Sequence, residues 1–315
     1  MRFVKGIVCI LAAVLVARAA DIRIGIIGTD TSHVPAFTAM LNSAPGAKDH
    51  VPGARVVAAY KGGSKDIESS ISRVDQYAAQ IHDKYGVEIV GDIPSLLAKC
   101  DAVILASVDG RVHLEQARPV IAAHKPLFID KPLASTLEDA REIARLAKAA
   151  GVPWFSSSSL RFGAIAAEGK FADTQGVMAW GPGPLEPHHQ LDLTWYAIHP
   201  IEILYTLMGP GVETVTRTTS DNADVIVGKW KDGRLGTVRA IRPYSEYGAI
   251  VFREKEVVEI KPQTAGSYRP LVEKIVAFFE TKTPPVPNEE TLEIFAFMDA
   301  AQRSKEQGGK AVALR

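Results

Sequence analysis

Short apolar runs alternate with amphipathic stretches from Asp21 to about Phe155. Ile22–Ile27, Val56–Ala59, Ala102–Ala106, Pro126–Ile129 and Val152–Phe155 are rich in Val and Ile and bounded by Gly, Asp or Pro, which predicts strands. Between them, Val34–Leu41, Ile67–Tyr85, Ile93–Ala98, His113–Ala123 and Leu137–Ala150 carry helical periodicity. The last has a full set of end signals: Thr136 to cap, Asp139 three residues on, and Gly151 beyond its end. Strands alternating with helices predict right-handed βαβ units and a parallel sheet covered on both faces.

The pattern changes near Ser156. Val212–Thr219, Ala223–Lys229, Leu235–Arg242, Ala249–Arg253 and Val257–Lys261 are strand-like with few helices between them, and Trp230–Arg234 holds an Asp-Gly hairpin signal. One helix is expected from about Ala197 to Met208, and two close the chain at Tyr268–Glu280 and Glu289–Gln307, the second capped by Asn288. The expected fold class is α/β: a doubly wound Rossmann sheet over 21–155, then an α+β domain over 156–315 with a mainly antiparallel open sheet. The closing helices are placed to pack back on the first domain.

Residues 1–20 stand apart. Arg2 and Lys5 precede an apolar run, Gly6–Val16, that ends at Ala17-Arg-Ala-Ala20. That is the layout of a Sec-type signal peptide, cleaved after Ala19 or Ala20, and the run is too short to span a bilayer comfortably. Export to a periplasmic or extracellular space is expected, with no stable membrane insertion after cleavage. Charge adds little else. The 36 basic and 36 acidic side chains of the 315 residues give no support for nucleic-acid binding. Loss of Arg2, Lys5 and Arg18 with the leader leaves a net charge of −3. Of the two cysteines only Cys100 lies outside the leader, so no internal disulfide is expected.

The turn after the first strand, Gly28-Thr-Asp-Thr-Ser-His33, stands where a dinucleotide fingerprint belongs. Gly28 supplies its first small residue. Asp30 takes the second place and His33 the third, and a carboxylate facing a pyrophosphate is unfavourable. Thr29, Thr31 and Ser32 still offer hydroxyls beside a helix N-terminus. After the second strand, Lys61 and Ser64 either receive a 2′-phosphate or belong to a solvated glycine loop.

Two further segments give the chain a family likeness. Phe128-Ile-Asp-Lys-Pro-Leu-Ala134 ends a strand and opens a helix; it is similar to the Glu-Lys-Pro signature of the Gfo/Idh/MocA oxidoreductases, with Asp130 in place of Glu. The stretch from Tyr268 through Pro284-Pro-Val-Pro-Asn288 to Lys310 resembles that family's closing helices, and Ala106–Asp109 with His113 fits the same order.

The resemblance implies hydride transfer between a nicotinamide cofactor, NAD or NADP, and a sugar, polyol or derivative. It places the cofactor against Gly28, Thr29, Thr31, Ser32, Lys61, Ser107, Asp130 and Lys131. It gives His199 the role of general base and Lys131 that of orienting the reacting hydroxyl. Trp195 falls where the family has an aspartate, so a polar partner for substrate is missing. Arg161, His188, His189, Trp195 and Tyr196 are candidate substrate contacts. Adjacent His188 and His189 in an extended loop face opposite sides, so no metal site is assigned. The resemblance also implies a homo-oligomer through the second sheet. Two other outcomes stay open: a cofactor-independent lyase or isomerase using His199 and Lys131, and a carbohydrate-binding protein without catalysis.

Overall fold

The computed structural model describes residues 20–263 and 266–315, so the leader-like segment, Ala20 apart, lies outside the described residues. The first domain runs β1 (Ile22–Ile27), α1 (His33–Asn42), β2 (Ala54–Tyr60), α2 (Glu68–Ile71), α3 (Val74–Tyr85), β3 (Glu88–Val90), α4 (Ile93–Leu97), β4 (Ala102–Leu105), α5 (His113–Ala122), β5 (Leu127–Asp130), α6 (Leu137–Ala150) and β6 (Trp154–Ser157). Its strands are parallel in the order β3-β2-β1-β4-β5-β6, a doubly wound Rossmann sheet. The order reverses between β1 and β4, so their carboxyl ends form the crevice where such folds bind ligands.

The second domain adds α7 (Ala164–Gly169), β7 (Thr174–Pro182), α8 (Ile198–Met208), β8 (Val212–Thr219), β9 (Ala223–Trp230), β10 (Leu235–Ile241), β11 (Tyr247–Arg253), β12 (Val257–Gln263), α9 (Arg269–Thr281), α10 (Asn288–Glu306) and β13 (Val312–Ala313). Its sheet has the order β12-β11-β7-β10-β9-β8-β13 and is antiparallel except where β7 meets β10. The α8 helix is apolar on nearly every side because it is enclosed between that sheet, α7, α10 and the segment Ser159–Phe162.

The closing helices return to the first domain. Leu271, Ile275, Phe278 and Phe279 of α9 share a core with Ile24, Phe37, Phe128 and Phe155, covering one face of the Rossmann sheet. The α10 helix packs on β8, α6 and β6. The chain from Ser156 on is therefore not a separate body.

Most expected elements occur within a residue or two of their expected limits. The expected Ile67–Tyr85 helix is instead two helices, α2 and α3, broken at Ser72–Arg73. Asn288 begins α10 rather than capping it; Pro287 holds the cap position. The short β3 and β13, α7 and all of β7 carried no expectation. β7 is punctuated by Gly176, Gly181 and Pro182 yet lies central in its sheet. A Cβ on Gly181 would lie 2.6 Å from the Tyr247 ring, so this glycine makes room for a side chain that faces the site below.

Candidate active site

A cavity of about 270 Å³ lies at the carboxyl ends of β1, β4 and β5, beneath the first turn of α8. Its wall includes Thr31, Ser32 and His33 from the β1–α1 turn, Ser69 and Arg73 beside α2, and Lys131 after β5. Ser159, Trp195, Tyr196, His199, Tyr247 and Tyr268 complete the far side.

His199 is the second residue of α8 and is 8% exposed. Its Nδ1 lies 2.7 Å from Ser158 Oγ, leaving Nε2 for the cavity. Tyr196 and Tyr247 flank the ring edge-on. Burial, with the nearby positive charges of Lys131 and His33, holds its pKa well below the ordinary imidazole value, so it is a neutral base at pH 7. One helical turn on, Glu202 accepts the Ser158 N–H at 3.1 Å and the Arg161 Nε–H at 2.6 Å, tying α8 to the end of β6.

Lys131 stands above Asp130, the last residue of β5. Burial lowers the ammonium pKa, opposed by the Asp130 charge. The Nζ lies 5.9 Å from the Tyr196 ring centre and, among the described residues, has no ion pair or hydrogen bond.

Asp130 has another partner. His33 Nδ1 lies 2.5 Å from its Oδ2, with both side chains buried. Oδ1 accepts the Lys131 N–H at 2.8 Å. Burial alone would raise the Asp130 pKa; the charge and hydrogen bond of His33, then Lys131, bring it below the ordinary carboxylate range. The carboxylate fixes the His33 ring with Nδ1–H toward it and Nε2 free, and Phe37 and Tyr268 pack on the ring. The residue that breaks the fingerprint therefore becomes a third titratable group in the cavity, beside His199 and Lys131.

The other candidate residues divide cleanly. Trp195 and Tyr196 line the cavity, as do Thr31 and Ser32. Arg161 lies behind it, bonded to Glu202 and, at 2.6 Å, to Glu290. His189 is buried between the domains, with Nε2 3.1 Å from Asp109 and Nδ1 3.0 Å from Thr194. His188 is on the surface beside Glu186. Among the described residues, no three His, Cys, Asp or Glu are grouped to hold a metal. Arg73, Tyr247 and Tyr268 lacked a sequence signal, because loop and long-range packing bring them in.

Residues 22–157 match the model of the oxidoreductase family with an NAD-binding Rossmann fold, Gfo/Idh/MocA. Its Rossmann domain is therefore a Gfo/Idh/MocA domain. An inositol 2-dehydrogenase of Paracoccus denitrificans is 36% identical over 85 residues, 26% of this chain and 25% of the relative. One of Cereibacter sphaeroides is 32% identical over 133 residues, 41% of this chain and 34% of the relative. These matches span about a quarter and a third of the relatives' lengths. The solved structure of myo-inositol dehydrogenase from Lactobacillus casei, in complex with NAD(H) and myo-inositol, superposes with a TM-score of 0.71. It is 19% identical and covers 94% of this chain and 97% of that one, a likeness of fold.

For a domain of this family, the first turn is the test of dinucleotide fit. The N–H groups of Gly28 and Thr29 are spent on the carbonyls of Tyr60 and Lys61, at 2.9 and 2.8 Å. The backbone after β2 rests directly on the turn: a Cβ on Gly62 would lie 3.4 Å from both Gly28 Cα and Ser107 Oγ. Asp30 is fully buried, accepting the Ser70 hydroxyl at 2.6 Å and the Val108 N–H at 3.0 Å. Thr29 donates its hydroxyl to Val74 O at 2.7 Å. Ser64 donates to Asp109 at 2.6 Å, and Ile67 is buried. The segment Gly62–Arg73 is thus pinned beside the first turn, next to the crevice over β1 and β2 where an adenosine half would lie.

Five of the residues expected at the cofactor, Asp130 among them, are engaged by the protein itself. Gly28 is packed against Ser107, whose hydroxyl donates to Gln116 at 2.8 Å, and Thr29 holds Val74. Lys61 pairs at the surface with Asp75 at 2.7 Å. Ser64, the other candidate for a 2′-phosphate, is taken by Asp109. The residues present do not fit a dinucleotide in this arrangement. Sequence alone located the wrong side chain at Asp30 but not the segment that covers it.

Proposed function

We propose that the protein is an acid–base enzyme acting on one small polyhydroxylated molecule, a sugar, polyol or derivative, without a dinucleotide. The observation that carries this reading is one cavity lined by His199, Lys131 and the Asp130-held His33, with Gly62–Arg73 pinned beside the first turn. Neutral His199 takes a proton from a hydroxyl or from a carbon beside a carbonyl. The Lys131 ammonium stabilises the oxygen that gains negative charge. His33, held by Asp130, exchanges the proton at the neighbouring carbon or at a departing hydroxyl. The net change is an isomerisation or an elimination, with no electrons left over. The aromatic walls, Trp195, Tyr196, Tyr247 and Tyr268, suit the apolar faces of a sugar ring.

The second reading is an NAD-dependent polyol dehydrogenase. Family membership and relatives named inositol 2-dehydrogenase favour it, and it uses His199 and Lys131 in the same roles. Turnover of candidate sugars, assayed with and without NAD⁺ or NADP⁺, separates the two. The first reading expects product without added dinucleotide and no absorbance change at 340 nm. Dinucleotide-dependent reduction of that cofactor would replace it with the second. The leader-like segment supports action outside the cytoplasm. Exposed Met178, Leu235, Phe252 and Val257 on the second sheet support pairing of two copies there.

A further inference from the structure

Resting on the acid–base reading of the cavity, we infer that its substrate carries a negative charge, a sugar or polyol bearing a carboxylate or phosphate held by Lys131 and Arg73. The lining holds four side chains that bear or accept a positive charge, His33, Arg73, Lys131 and His199, and no Asp or Glu. The nearest carboxylate, Asp130, is spent on His33 and on the Lys131 N–H.

The contrast with the other cations is informative. Arg111 is paired with Asp66 and Asp109, Arg161 with Glu202 and Glu290, and Arg217 with Asp192 and Asp224. Arg73 and Lys131 have no carboxylate partner among the described residues, yet they share a concave wall with each other. Two unpaired cations in a recess are unfavourable until an anion enters. The Thr31 and Ser32 hydroxyls at the start of α1 lie on the same wall and add donors for it. At about 270 Å³ the cavity holds one ring and its substituents, at the small end for ligand sites.

Arg73 ties the segment over the fingerprint to the cavity. The same stretch that is pinned beside the first turn ends by presenting this guanidinium to the cavity.

The test is calorimetric titration of the purified protein with three ring-matched probes, glucose, glucuronate and glucose 6-phosphate, repeated with Arg73→Gln. At least one anion is expected to bind roughly ten- to a hundredfold more tightly than glucose, with the preference falling as salt rises. Arg73→Gln should sharply reduce that preference, with Lys131 left as the only cation of the pair. A stronger response to glucuronate assigns a carboxylate, and to glucose 6-phosphate a phosphoryl group. Glucose binding as tightly as both anions, no binding by any of the three, or an unchanged preference in Arg73→Gln would overturn the inference. Because the readout is binding, its failure is distinct from loss of turnover in His199→Ala, which bears on the acid–base reading.

Discussion

His33 is the residue at which sequence and structure diverge most usefully. In the sequence it is a bulky side chain where a fingerprint wants a small one. In the fold it is buried against Asp130 and faces His199 and Lys131 across one cavity. The position of Asp130 and Lys131 after a strand was legible from the Asp-Lys-Pro context. Their partner was not, because no local pattern says which carboxylate a histidine ninety-seven residues away will meet. Asp130→Asn leaves the volume unchanged and removes the charge that holds His33. It should lower turnover by about 10²- to 10⁴-fold, the usual range for positioned acid–base catalysis, and shift the pH–rate profile. A merely structural Asp130 would lower the melting temperature and leave the profile in place. Lys131→Met should abolish turnover while holding or raising thermal stability, since it removes a cation with no carboxylate to pair with. A parallel loss of stability and activity would give Lys131 a structural role.

At the scale of elements, the strands and helices around the site were legible from periodicity, and the segment between β2 and α3 was not. Lys61 and Ser64 read as a 2′-phosphate contact or a solvated glycine loop, and Ile67–Tyr85 as one helix. Ser64 and Ser70 are buried instead, and Asp30 supplies Ser70 with its partner inside the first domain. Burial raises the Asp30 pKa, opposed first by the Ser70 hydroxyl and then by the Val108 N–H. Ser70→Ala leaves part of that buried carboxylate unsatisfied and should cost about 1–3 kcal/mol in urea unfolding. A change within about 0.5 kcal/mol, as for an ordinary surface position, would mean the segment is not anchored there. β7 was illegible for a related reason: its glycines answer to Tyr247 and to the neighbouring backbone rather than to local propensity.

At the scale of the whole molecule, the two domains were legible as a change of pattern near Ser156, and their interlocking was not. The α9 helix belongs to the core of the first domain, and Arg161 joins β6, α8 and α10 through Glu202 and Glu290. Two buried histidines tie stability to pH. Burial lowers the pKa of both His113 and His199. Both remain neutral in the native state as pH falls, whereas the unfolded chain takes up protons near pH 6.5. Stability should therefore decline as pH is lowered through about 6.5, and denaturation midpoints measured from pH 8 to 5 should show that slope. A flat profile would contradict neutral burial of these rings.

The most direct measurement is native mass spectrometry of the purified protein, paired with thermal-shift titration against NAD⁺, NADH, NADP⁺ and NADPH. Any ligand bound by the native state must raise the midpoint. With Gly62–Arg73 seated on the first turn, no dinucleotide should co-purify and no saturable shift should appear at millimolar concentration. A co-purified dinucleotide, or a saturable shift with any one of the four, would mean that the segment yields to the cofactor and that the protein is a dehydrogenase after all.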